Sequence, residues 1–241
     1  MRPVPPLPWF QSAILSLHEG RPLPLKTAKD DAVVYRYEQK DITTAILLKT
    51  TRFVSGLHAG EVLLKLRFVQ ELASLQRSLQ DFAEDAQFLA MACILEDLTA
   101  LHEEYLSAFW EEEPTLQVYS KNQRNRPEVP RRKIVSYLAQ TTSGGVPDHD
   151  AIVLGKYLSR FYSGFVHGSA PTLMDLFNPI TKRFEVAGVT HPPILEDHRH
   201  DFQNYLFRGV ILMAIVARAV GNEVILKEAN DLHDMLKPHY V

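Results

Sequence analysis

Arg160 and His167 stand seven residues apart in KYLSRFYSGFVHGSAPTLMDLF, the stretch from Lys156 to Phe177. Seven residues of helix make almost two turns, so both side chains leave one face, about 10 Å apart along the axis. A guanidinium can hold a phosphate and the charge that develops on it, and an imidazole can exchange a proton near neutral pH. That combination suits phosphodiester chemistry. Gly164 lies between the two on the same face. A glycine costs a helix interior about 1 kcal/mol relative to alanine, so it signals a close approach and predicts a shallow notch free of side chains. Tyr162 and Gly164 are the supporting candidates within this stretch. Ordinary structural work is the alternative for both principal residues. His167 precedes Gly168 in a last helical turn, where it could satisfy free carbonyls, and Arg160 could pair with an acid on another helix. A second pair, Arg52 and His58 in RFVSGLHAG, echoes the first, but six residues rotate by about 240° and the side chains diverge.

These residues must be held by helices. Asp41 has the place of an N-cap, and Ile42 to His58 reads as a helix ending near Ala59-Gly60. The next, Glu61 to Gln80, is apolar on two sides, leaving Arg67, Gln70, Glu71 and Ser74 as a polar stripe. A polar stripe on a doubly buried helix needs partners. Arg67 and Glu71, at i,i+4, could form a simple helix-face ion pair; the other use, and the expected one, is to line the same cavity as Arg160 and His167. Asp81 to Trp110 reads as one long helix and Pro130 to Ala139 as a short one. Asp148 or Asp150 caps the helix that carries the candidate pair. A last long helix from Asp197, bending at Gly221, is the expected centre of the fold. Residues 178–193 read as a small irregular or β-hairpin insertion, and residues 1–40 as a proline-rich arm with one short helix around Trp9 to Leu17. The class is all-α: a helical bundle over residues 41–241 on which the arm packs.

At 241 residues, 46% apolar and 23% charged, the chain can bury a sizeable core. Its net charge of −3 argues against a globally basic nucleic-acid binder but leaves room for a local basic patch. Such a patch exists: Lys121, Arg124, Arg126, Arg131, Arg132 and Lys133 face one acid, Glu128. It is either a solvated loop or a hold for a phosphate backbone. The single cysteine, Cys93, precludes a disulfide framework and fits a reducing cytoplasm. The opening MRPVPPLPWF does not read as a signal peptide, and Val210 to Ala217 is too short an apolar run to span a bilayer. His191, His198, His200 and Asp201 lack metal-ligand spacing, so neither a metal nor another cofactor is expected.

An all-α chain with a late Arg-x6-His resembles the HEPN superfamily. More narrowly, LRFVQELASL (Leu66 to Leu75) and YLSRFYSGFVHGSA (Tyr157 to Ala170) are similar to two stretches of a bacterial helical family related to it. The resemblance implies a metal-independent endoribonuclease, often dimeric, of the toxin or phage-defence type. By that analogy Arg160 would stabilise the phosphorane and His167 would act as acid/base. The expected partner is RNA or a nucleotide, with a homodimer as the assembly. The same notch also suits a non-catalytic binding module, such as an antitoxin, an adaptor or a nucleotide sensor.

Overall fold

In α1 (Leu7–His18) the buried residues Leu7, Phe10, Ala13, Ile14 and Leu17 recur at helical spacing and make one stripe against the body of the protein. The computed structural model describes residues 3–29, 32–111, 129–142 and 149–240. After α1 the arm forms an antiparallel hairpin, β1 (Leu25–Lys29) with β2 (Ala32–Arg36), Leu25 opposite Arg36. Only a short helix was expected in the arm; the hairpin is an addition to it, and VVY in β2 supplies the branched and aromatic residues that favour a strand.

The bundle begins with α2 (Ile42–Lys65), capped by Asp41, whose carboxylate accepts from the Thr44 amide at 2.7 Å. This helix runs straight through Ala59-Gly60, where the residue types suggest a stop. Gly60 is instead a packing site: a Cβ there would lie 2.5 Å from the Phe202 ring, and one at Gly56 would lie 2.5 Å from Leu79. The two glycines let neighbouring helices come close. The stop comes at Arg67, which is left-handed at φ 65°. Phe68 N–H bonds to Leu63 O at 2.9 Å and Arg67 N–H to Leu64 O at 3.1 Å, a Schellman cap with arginine where glycine is usual.

The following helix, α3 (Val69–Ile94), passes unbroken through Gln80-Asp81 and ends in the same way at Glu96, φ 52°. There Asp97 N–H reaches Ala92 O at 3.0 Å. Then α4 (Ala100–Phe109) starts at Thr99, whose N–H donates to His102 Nδ1 at 3.1 Å. The expected helices 42–58, 61–80 and 81–110 are thus 42–65, 69–94 and 100–109. A left-handed conformation costs an L-residue about 1–2 kcal/mol, of which glycine's greater freedom when unfolded takes back about 0.5–1. Glu96→Gly is accordingly expected to stabilise the protein and raise its melting temperature by about 1–4 °C. A thermal melt showing a fall would refute that reading of the corner.

Helix α5 (Arg131–Thr142) and helix α6 (His149–Val166) pack on α3. A single-turn α7 (Ala170–Leu173) and a 3-10 turn (Met174–Leu176) lead into the hairpin β3 (Phe177–Asn178) with β4 (Arg183–Phe184). The segment after the hairpin docks on the α2–α3 corner, where Val189 N–H bonds to Arg67 O at 2.9 Å. Gly188 makes this possible: its φ is 113°, and a Cβ there would lie 2.8 Å from Leu66 O.

Helix α8 (Pro192–Val220), the expected centre, packs on α2, α3 and the last helix, α9 (Glu223–Leu236). The centre is instead α3, whose unbroken run through Gln80-Asp81 lets α2, α5, α6 and α8 all pack against it. Phe202, Leu206, Val210, Met213 and Val216 of α8 are all buried. By length and apolarity alone this helix could cross a membrane, and half of its most apolar stretch is buried inside the bundle. It ends at Gly221, φ 74°, with Asn222 N–H on Ala217 O at 2.8 Å, and Asn222 then caps α9. The chain is an all-α helical bundle with a small hairpin insertion, as its periodicity implies.

Candidate functional site

Helix α6 presents two faces. Tyr162 and Phe165 turn into the core, while Arg160, Ser163, Gly164 and His167 open onto a cleft of about 1290 Å³. Its other walls are α3, with Arg77, Gln80, Asp81 and Glu84, and α5, with Arg132, Lys133 and Tyr137. The spacing argument therefore holds: Arg160 and His167 line one space.

Helix α6 closes with another Schellman cap. Gly168, φ 64°, donates to Phe165 O at 3.4 Å, and Ser169 N–H reaches Gly164 O at 2.9 Å. The cap is made by backbone, so the His167 imidazole is not spent on it. That side chain is exposed and has no hydrogen bond or ion pair among the described residues. Arg160 is exposed and equally unpaired among them, and so are Arg132, Lys133 and Lys156 around it. In all, six guanidinium or ammonium groups line the cleft (Arg77, Arg131, Arg132, Lys133, Lys156, Arg160) against two carboxylates, Asp81 and Glu84. The excess of four positive charges attracts anions.

The acids are already engaged on the cleft floor. Arg77 pairs with Asp81, and Arg131 with Asp81, Glu84 and Asp85, while Lys49 Nζ sits 2.8 Å from Asp85 Oδ2. Burial works to lower the pKa of Arg131, but Asp85, Glu84 and Asp81 outweigh it and push the value up. Arg131 is thus a strut that ties α5 to α3. The expectation that it contacts RNA with its neighbours is corrected here: these acids hold its guanidinium. Arg132 and Lys133, beside it in sequence, do face the cleft. Lys121, Arg124 and Arg126 lie outside the described residues.

The four supporting candidates are also corrected. Gly164 borders the cleft, but its bare face is covered by the chain's own next turn. A Cβ there would lie 3.0 Å from Ser169 Oγ and from Thr172 Cγ2, and Thr172 Oγ1 donates to Gly164 O at 3.1 Å. The glycine admits α7 rather than a ligand. Tyr162 is 4% exposed, and its hydroxyl donates to Asp201 Oδ2 at 3.3 Å. Two residues past Arg160 is about 200° of rotation, so it cannot share that face. Burial raises the pKa of both Tyr162 and Asp201. Arg67 and Glu71 border a separate cavity of about 240 Å³ with Glu185 and Gly188. The break at Arg67 is the reason: the two do not belong to one helix, so no common stripe carries them to Arg160.

Lys156 was not among the candidates, although it is four residues before Arg160 and that spacing alone puts both on one face. Of the histidine set, His198 is buried with Nε2 3.1 Å from Asp175 Oδ2, and His200 faces Glu196. Among the described residues no three metal-type ligands converge. No family model matches the chain, and neither does any curated protein or solved structure.

Proposed function

We propose that the cleft binds RNA and cleaves it without a metal, with Arg160 and His167 as the reacting pair, in the manner of the HEPN ribonucleases the Arg-x6-His motif resembles. What supports this reading above all is that both side chains face one basic cleft and neither has structural employment among the described residues. Arg132, Lys133 and Lys156 hold the phosphate backbone. His167 Nδ1 or Nε2 takes the proton of a ribose 2′-hydroxyl, and that oxygen forms a bond to the adjacent phosphorus. The bond from phosphorus to the 5′-oxygen breaks, and the departing oxygen takes a proton from water. The products are a 2′,3′-cyclic phosphate and a 5′-hydroxyl, and imidazolium returns its proton to solvent. Arg160 stabilises the extra negative charge of the phosphorane. A toxin or phage-defence role in the cytoplasm follows from the same resemblance.

The nucleophile in this scheme belongs to the substrate, which decides the test. In EDTA the protein is expected to cut an RNA oligonucleotide to cyclic-phosphate ends and to leave its 2′-O-methyl counterpart whole. Equal cleavage of both, or loss of cleavage in EDTA, would rule the scheme out. Binding of both oligonucleotides with cleavage of neither would mark a binding module.

A further inference from the structure

Behind the cleft lies a second cavity, of about 450 Å³, between α3, α5, α6 and α8. Gln80, Glu84, Val135 and Gly155 line both spaces, so the two adjoin. Gly155 puts no side chain at the junction, and a Cβ there would meet only Val135 Cγ1, at 3.8 Å. The volume is that of a small-molecule site, roughly 300–1,000 Å³.

Two polar groups in this cavity have unused bonding capacity. Gln80 is 2% exposed; its Nε2 donates to Glu84 Oε1 at 2.9 Å, and its Oε1 has no partner. Tyr205 is 3% exposed; its hydroxyl lies near that of Tyr162 but makes no hydrogen bond of good geometry, so it too has capacity to spare. A buried polar group left without its full hydrogen bonds destabilises the fold, so two around one space call for a ligand that satisfies them. Their neighbours Tyr162 and Asp201 already satisfy each other. The Tyr205 ring and Leu158 offer flat and apolar wall. The amide oxygen wants a donor, and the hydroxyl can give a proton to an acceptor. An amino group beside an unprotonated ring nitrogen matches that pair, and on the Watson–Crick edge adenine and cytosine present it whereas uracil and guanine do not.

We infer that this cavity is a base-binding subsite, which takes the adenine or cytosine of an RNA whose phosphate lies against Arg160 and His167. The inference rests on the RNA reading of the cleft. Cleavage would then fall beside amino-bearing bases.

Binding of uncleavable 2′-O-methyl oligonucleotides, measured by fluorescence anisotropy, tests this. The probes are oligo-C, oligo-A, oligo-U and an abasic chain; the proteins are wild type, Tyr205→Phe and Gly155→Leu. Wild type is expected to bind oligo-C and oligo-A about tenfold more tightly than the other two. Tyr205→Phe should remove that preference and nearly keep the melting temperature, since the lost hydroxyl makes only a poorly aligned contact with the Tyr162 hydroxyl. Gly155→Leu should remove it by blocking the junction. Equal binding of all four probes by wild type overturns the subsite and leaves the RNA reading standing. Binding of none overturns that reading and the subsite with it. A preference that survives undiminished in both variants places base recognition elsewhere and overturns the inference.

Discussion

The His167→Ala protein is expected to cleave RNA about 10²–10⁴-fold more slowly than wild type, with its melting temperature unchanged. The rate falls because the group that accepts the 2′-hydroxyl proton is gone. Stability holds because the imidazole is exposed and unbonded among the described residues, while the helix end it sits on is closed by backbone bonds at Gly168 and Ser169. Arg160→Ala should slow cleavage by a similar or larger factor through loss of phosphorane stabilisation. If these residues served only the fold, the pattern would be the reverse, with melting temperature lowered and no cleavage in any version. Rapid cleavage by His167→Ala would remove that residue from the chemistry.

Arg131→Ala is expected to be the most damaging change to stability in the Arg131-Arg132-Lys133 run. Removing one partner of a buried ion cluster costs about 3–5 kcal/mol, because the remaining charges lose their compensation. Asp85 is only 8% exposed at its side chain and Glu84 15%, so both would be left buried, Asp85 keeping Lys49 as a counter-charge and the Tyr105 hydroxyl as a donor. Arg131 itself keeps 29% exposure, and water there argues for the lower end of the range. About 3 kcal/mol corresponds to a fall in melting temperature of roughly 6–12 °C. Arg132→Ala and Lys133→Ala, with no ion pair to lose among the described residues, should melt like wild type and bind RNA less well. Equal melting curves for all three variants would mean that the cluster does not hold α5 in place.

That contrast shows where residue types alone stop being informative. Arg131, Arg132 and Lys133 are alike as a charge run, and only the position of Asp85, 46 residues earlier on another helix, separates the strut from the two that face the cleft. The glycines repeat the lesson. Gly60 and Gly164 look like a stop and a notch, yet each is small because a particular partner lies against it: Phe202, 142 positions away, or Thr172, in the next turn. Conversely, the real stops at Arg67 and Glu96 carry no glycine, so local signals pass over them. What could be read was whatever depends on neighbours in sequence. The Asp41 cap, the apolar α8 and the shared face of Arg160 and His167 all need only helical geometry. Lys156 obeys the same rule, one turn before Arg160, but nothing in its residue type sets it apart from other helix-face lysines.

The two sets of charge around the cleft will respond differently to ionic strength. Arg132, Lys133, Lys156 and Arg160 stand in solvent, where counterions screen charges beyond about 8 Å at physiological salt. A single-stranded polyanion held by those four would lose affinity with a log–log slope of roughly −3 as salt rises. The Asp85 and Arg131 cluster, largely withdrawn from water, is screened far less. Added salt therefore strips the cleft long before it loosens the floor beneath it. Protein washed in concentrated salt would emerge folded and bare, whereas the same protein prepared in dilute buffer would carry whatever nucleic acid it had met.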